Sequence, residues 1–134
     1  MATGTQRTGS VDAYALYQWP SGNMEHVAYE IKVSRGDLLK ELKTPSKRKA
    51  ALCWSNAFYF VTPPGLMKPE EVPPECGLRE VDCGQGRSVL AGRARAYSGL
   101  VTIVRAPWRD TPPPTWMLLA SLARSYKAPE GMRT

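Results

Sequence analysis

The stretch HVAYEIKVSRGDLLKEL, His26–Leu42, changes its period halfway along. Val27, Tyr29, Ile31 and Val33 stand at every second position, the spacing of a strand. After Ser34 the apolar residues recur as Leu38, Leu39 and Leu42, which is helical spacing. Ser34 with Asp37 three residues on is close to a capping box, so the helix is predicted to begin near Arg35. A strand running into a helix points to a mixed sheet flanked by helices.

Outward from this stretch the chain offers more strands. VDAYALYQ (residues 11–18) reads as a strand, and WPSGN (Trp19–Asn23) as the turn of a hairpin with residues 26–34. Pro45 interrupts the first helix or starts a second one through SKRKAALCWS. AFYFVTP (residues 57–63) is a short aromatic strand closed by Pro-Pro-Gly, and PEEVPPECG is a loop. GLREVD and SVLAGRARA look like another pair of strands, and GLVTIVRA like one more. After TPPP, residues 112–127 have helical spacing and are expected to pack on the sheet. The fold class is α/β, with one domain over residues 1–134 and a flexible segment over 1–10.

The chain has 134 residues, 43% of them hydrophobic, enough to bury a core. Its net charge of +6 favours acidic partners, nucleic acid before an anionic membrane surface. A basic surface serving solubility alone is the plainer alternative. No segment has the roughly 18–20 continuous apolar residues of a membrane span. The polar N-terminus lacks the apolar region of a secretion signal, so no membrane association and a cytoplasmic location are expected. Three cysteines, Cys53, Cys76 and Cys83, fit reduced thiols. Only His26 is available to join them, so no zinc site is expected.

Alternation puts Val27, Tyr29, Ile31 and Val33 toward the core. His26, Ala28, Glu30, Lys32 and Ser34 then share the other face, Glu30 and Lys32 about 6–7 Å apart at Cα. The hairpin brings Asp12 toward Glu30. Two carboxylates suit a hard cation such as Mg²⁺. The cation lowers the pKa of a bound water and offsets charge on a phosphate. A neighbouring lysine orients or helps deprotonate that water and stabilises the developing charge. The chemistry suggested is metal-assisted phosphodiester hydrolysis.

Asp12, then seventeen intervening residues, then Glu30-Ile31-Lys32 resembles the motif of the PD-(D/E)XK (restriction-endonuclease-like) nucleases. The longer run YEIKVSRGDLLKEL…PSKRKAAL…AFYFVTPPGLM…EEVPPECGL is similar to a small phage and bacterial branch related to MmcB-type DNA repair proteins and VRR-NUC domains. The matching elements are Glu30 to Asp37, Lys47 to Lys49, Phe58 to Val61, and Pro73 to Leu78, so the resemblance covers about residues 11–82. It implies a three-layer core with a mixed central sheet. It also implies a DNA nuclease of replication, repair or recombination that uses Mg²⁺, with Mn²⁺ as a substitute. Asp12 and Glu30 would ligate the metal with the backbone carbonyl of Ile31, and Lys32 would be the catalytic lysine. The chain departs from the pattern before Asp12. Only eleven residues precede it and none is acidic, which bears against a second metal site and leaves room for an inactive relative.

The run KELKTPSKRK, Lys40 to Lys49, holds five positive charges and one negative. Such a face suits a phosphate backbone, with a solvated helix face as the alternative. Lys40, Lys43, Lys47, Arg48 and Lys49 are the candidate DNA contacts, Lys47 foremost because the resemblance has a lysine there. Ser34 and Arg35 join them at the helix start, where a phosphate is favoured; Ser34 and Asp37 also have the simpler role of capping. His26 lines the cleft or sits at a strand end, and Trp54 stacks on a base or packs between helix and sheet. The partners expected are DNA and, for a small nuclease acting on two strands, a second copy in a homodimer. The alternative function is a catalytically inactive nucleic-acid- or protein-binding module on the same fold.

Overall fold

The change of period at Ser34 is a strand-to-helix junction. The computed structural model describes residues 11–17, 19–82 and 99–125. Strand β2 spans His26–Ile31 and helix α1 spans Arg35–Leu42. Between them Ser34 is extended (φ −125°, ψ 143°), and its Oγ accepts a hydrogen bond from the Asp37 N–H at 3.2 Å. One of the helix's orphan donors is thereby satisfied. Ser34→Ala is expected to cost about 1 kcal/mol, read as a lower urea midpoint with an unchanged m-value.

Five strands form one open sheet in the order β1-β2-β3-β4-β5, with β1 at Ala13–Leu16, β3 at Ala57–Thr62, β4 at Gly77–Val81 and β5 at Leu100–Val104. The pairs β1/β2 and β4/β5 are antiparallel, while β2/β3 and β3/β4 are parallel. This is the mixed α/β sheet that the sequence pattern argues for. In the hairpin turn after β1, Asn23 takes a left-handed φ of 55°, which asparagine tolerates well. Parallel pairing needs a crossover. Helix α1, a 3₁₀ turn at Pro45–Arg48 and helix α2 (Lys49–Cys53) supply it between β2 and β3. Pro45 opens that turn, where its missing N–H costs nothing. All six residues of β3 are buried, as expected of a central strand covered on both faces.

The strand β2 faces the opposite way from the sequence expectation. Ala28, not Val27, joins the larger core with Phe58, Phe60, Leu78 and Leu38 of α1. Val27 packs on the other face with Ala57, Tyr59 and Ala106, and Tyr29 lies against them. Ile31 and Val33, expected in the core, are 48% and 74% exposed. Alternation reveals that a strand has two faces but not which one the helices cover. Here the small side chain of Ala28 admits the fully buried Leu38. Glu30 therefore follows Ala28 onto the helix-covered face.

The second face is covered by extended chain after β5. Arg109 anchors that run: its N–H donates to the Asn56 carbonyl, its own carbonyl accepts from Asn56 Nδ2 (both 2.8 Å), and its Nη1 donates to the Glu75 carbonyl at 2.6 Å. Beneath it the Arg79 guanidinium lies 4.1 Å from the Tyr59 ring centroid and donates to the Tyr29 hydroxyl at 2.6 Å. Gly77 makes this layer possible, since a Cβ there would stand 2.6 Å from the Ala106 nitrogen.

Two more expectations change. Helix α3 (Trp116–Ser125) is present, but it buries no residue, and Trp116 and Met117 are 87% and 78% exposed. It is not buried against the sheet. The strand expected at SVLAGRARA and the segment 1–10 lie outside the described residues, and β4 pairs with β5. Among the described residues no helix is long and apolar enough to cross a membrane.

Candidate active site

Three separate pieces of chain converge at the C-terminal end of β2. The β1/β2 register sets Ala13 opposite Tyr29, so one step further Asp12 stands opposite Glu30. The Ile31 N–H donates to Asp12 Oδ2 at 2.8 Å, fixing that juxtaposition. On the other side Glu30 is paired with Phe60 of β3, which forms an apolar floor. Lys32 is held by its backbone, whose N–H donates to the Val61 carbonyl at 3.0 Å. Its Nζ lies 2.8 Å from Glu30 Oε1 and 3.6 Å from Oε2 of Glu41, a residue of α1. The Lys32, Glu30 and Glu41 side chains are only 15%, 14% and 9% exposed.

Burial decides the electrostatics. It pushes the Glu30 carboxyl up from its ordinary value; the hydrogen bond and charge of Lys32 pull it back, while the charges of Asp12 and Glu41 add to the rise. For Lys32 burial acts downward, but the Glu30 hydrogen bond and the charges of Glu30, Glu41 and Asp12 outweigh it and the net shift is up. Lys32 is therefore an ammonium at neutral pH, suited to orienting and stabilising rather than to taking a proton. One ammonium faces three carboxylates, a local negative excess on a chain of net charge +6.

This donor set fits a hard cation in kind. Asp12 and Glu30 offer carboxylate oxygens of the kind a hard cation takes. Among the described residues no group of three or more His, Cys, Asp or Glu side chains is disposed to hold a metal ion.

Beside Lys32 opens a cleft of about 220 Å³ lined by Ile31, Val33, Asp37, Lys40, Glu41 and Lys47. Lys40 and Lys47 thus share a surface with Lys32, while Lys43 and Lys49 are exposed outside it. The two arginines differ from the expectation. Arg35 makes a two-pronged ion pair with Glu71 and donates from Nη1 to the Leu66 carbonyl at 2.8 Å. Arg48 is 3% exposed, donates from Nη1 to the Glu41 carbonyl at 3.0 Å, and lies 5.6 Å from the Phe60 ring centroid. The guanidinium fork that suits phosphate suits a carboxylate and a buried carbonyl equally well. Both arginines are engaged within the fold, and Ser34 caps α1.

The Arg35 hydrogen bonds hold the Glu71 carboxyl down at about 2, helped by the Lys68 N–H. A depressed carboxyl contributes stability above its ordinary value of 4.5 that is lost as pH falls toward 2. In thermal melts across pH, wild type is expected to exceed Glu71→Gln above pH 4.5, the difference closing toward pH 2. A difference that does not depend on pH contradicts this pairing.

His26 lies at the opposite end of β2 from Lys32, engaged with Thr111 Oγ1 and the Met24 carbonyl, both at 2.8 Å. The half-buried Trp54 caps α2, and its carbonyl accepts from the Tyr14 hydroxyl at 2.6 Å, a phenol that burial pushes up to about 12. Neither residue lines the cleft. The residue that sequence reasoning missed is Glu41. Its signal was present: it stands three residues after Leu38, so a carboxylate occupies the helix stripe that faces the sheet.

No family model and no curated protein matches this chain. Among solved structures it is similar to the SPO1766 protein of unknown function from Silicibacter pomeroyi, with TM-score 0.50 and 23% sequence identity over 85% of this chain. The chain spans 60% of the length of that protein. The likeness is one of fold.

Proposed function

We propose that this protein is a metal-dependent DNA nuclease that hydrolyses phosphodiester bonds in phage or bacterial DNA replication, repair or recombination. The observation that carries the reading is that Asp12, one step before β1, stands opposite Glu30 of β2, with Glu30 bound to Lys32, which lines a cleft shared with Lys40 and Lys47. A divalent cation such as Mg²⁺, bound by Asp12, Glu30 and the Ile31 carbonyl, would supply an activated water and offset phosphate charge. Lys32 orients the attacking group and stabilises charge on the phosphoryl oxygens. Lys40 and Lys47 hold the nucleic-acid backbone across the cleft.

The test is incubation with labelled single-stranded, duplex, flap and four-way DNA in Mg²⁺, Mn²⁺ or EDTA. Cleavage with either metal and none in EDTA is expected. Absence of cleavage with every DNA and metal overturns the reading. Binding is expected to weaken with salt, and Lys47→Ala to reduce the slope of log K against log salt by about 0.9 on duplex.

One observation favours the alternative, a binding module. The Lys32 ammonium sits directly on Glu30, and Asp12 is engaged by a backbone N–H, so both carboxylates have partners of their own. Salt-sensitive DNA binding without cleavage is the outcome that selects it.

A further inference from the structure

Glu41 is expensive where it stands. It is 7% exposed, on the side of α1 that buries Leu38. A carboxylate taken out of water costs several kcal/mol unless well paired. Its ion-pair partner is Lys32, at 3.6 Å, beyond hydrogen-bond distance. Lys32 does not need Glu41 for compensation, because Glu30 lies closer, at 2.8 Å, and Asp12 adds to the same field. A leucine at this position would extend the apolar stripe of α1 and leave Lys32 paired. Stability therefore does not account for a carboxylate here, and residues that break a packing rule without a gain in stability concentrate at functional sites.

The geometry supplies a role. Lys32 carries its charge on a flexible four-carbon stem. Glu30 draws the ammonium back along β2, while Glu41 reaches it from α1 beside the cleft that Lys32 and Glu41 line with Lys40 and Lys47. We propose that Glu41 is a positioning residue, which holds the Lys32 ammonium toward the cleft when the Glu30 oxygens are engaged by another cation. The inference rests on the nuclease reading. Glu41 touches no reacting atom; it acts through Lys32.

The test uses Glu41→Leu and Glu41→Gln in the full chain. Both are expected to melt at or above the wild-type temperature, to bind DNA with unchanged KM, and to lose about 10- to 100-fold in kcat, the scale of a misplaced catalytic group. A second readout needs neither metal nor activity: ¹⁵N relaxation of the Lys32 ammonium in metal-free protein carrying Glu30→Gln, which removes the competing carboxylate, and where adding Glu41→Leu or Glu41→Gln is expected to increase its mobility. Wild-type kcat and unchanged Lys32 mobility in both variants overturn the inference. So does loss of folding in both, which makes Glu41 structural. If wild type cleaves and only the Glu41 variants match it, the inference alone fails; if wild type cleaves nothing, the nuclease reading fails and the inference with it.

Discussion

Replacing Lys32 with alanine is expected to lower DNA cleavage by about 10²- to 10³-fold, the usual cost of removing one preorganised charge from a reacting centre. Glu30→Ala is expected to lose at least as much, because it removes one of two carboxylates available to a cation and also the hydrogen bond that orients Lys32. Lys32→Ala also leaves Glu30 and Glu41 without their ammonium and is expected to lower the melting temperature, with the fold retained. Glu30 and Lys32 lie at the rim of the core, beyond Ala28, and the apolar floor of Phe58, Phe60 and Leu78 is untouched. Single-turnover cleavage beside a thermal melt separates the two effects. Activity retained in Lys32→Ala with an intact fold contradicts the assignment of Lys32.

Arg48→Ala is expected to cost about 3 kcal/mol of folding stability, the sum of a charged hydrogen bond and lost burial. That is a large share of the roughly 5–15 kcal/mol that holds a domain together. Arg48 ties three parts of the fold: the C-terminal turn of α1 through the Glu41 carbonyl, the loop before β4 through Glu75 at 3.8 Å, and β3 through the Phe60 ring. Equilibrium urea unfolding measures the loss. A DNA-contacting arginine would behave in the opposite way, weakening binding and its salt dependence while leaving stability unchanged. The same experiment on Lys47→Ala is expected to give that second pattern, since Lys47 is exposed on the cleft.

The parts legible in the sequence are those set by local chemistry. The strand-to-helix junction at Ser34, the start of α1 at Arg35 and the buried aromatic strand β3 follow from period and capping alone. So does the approach of Asp12 to Glu30, because a hairpin's register follows from its turn. What was not legible is set by partners distant in sequence. The face on which Glu30 points depends on where α1 lands, and Ile31 and Val33 look like core residues until it does. Arg35 and Arg48 look like phosphate ligands until the loop carrying Glu71 and Glu75 folds against them. The place of Glu41 on the apolar stripe of α1 is legible, but its partner is not until α1 turns it onto Lys32. In each case a charged side chain's role is fixed by which opposite charge the tertiary fold delivers.

The shared carboxylates remain the centre of the account, and Mn²⁺ binding tests them most directly. Titrating Mn²⁺ into metal-free wild type, followed by electron paramagnetic resonance, is predicted to show bound ion, with binding lost in both Asp12→Asn and Glu30→Gln. Unchanged binding in these variants, or no bound ion in wild type, would contradict the claim that Asp12 and Glu30 hold one cation between them.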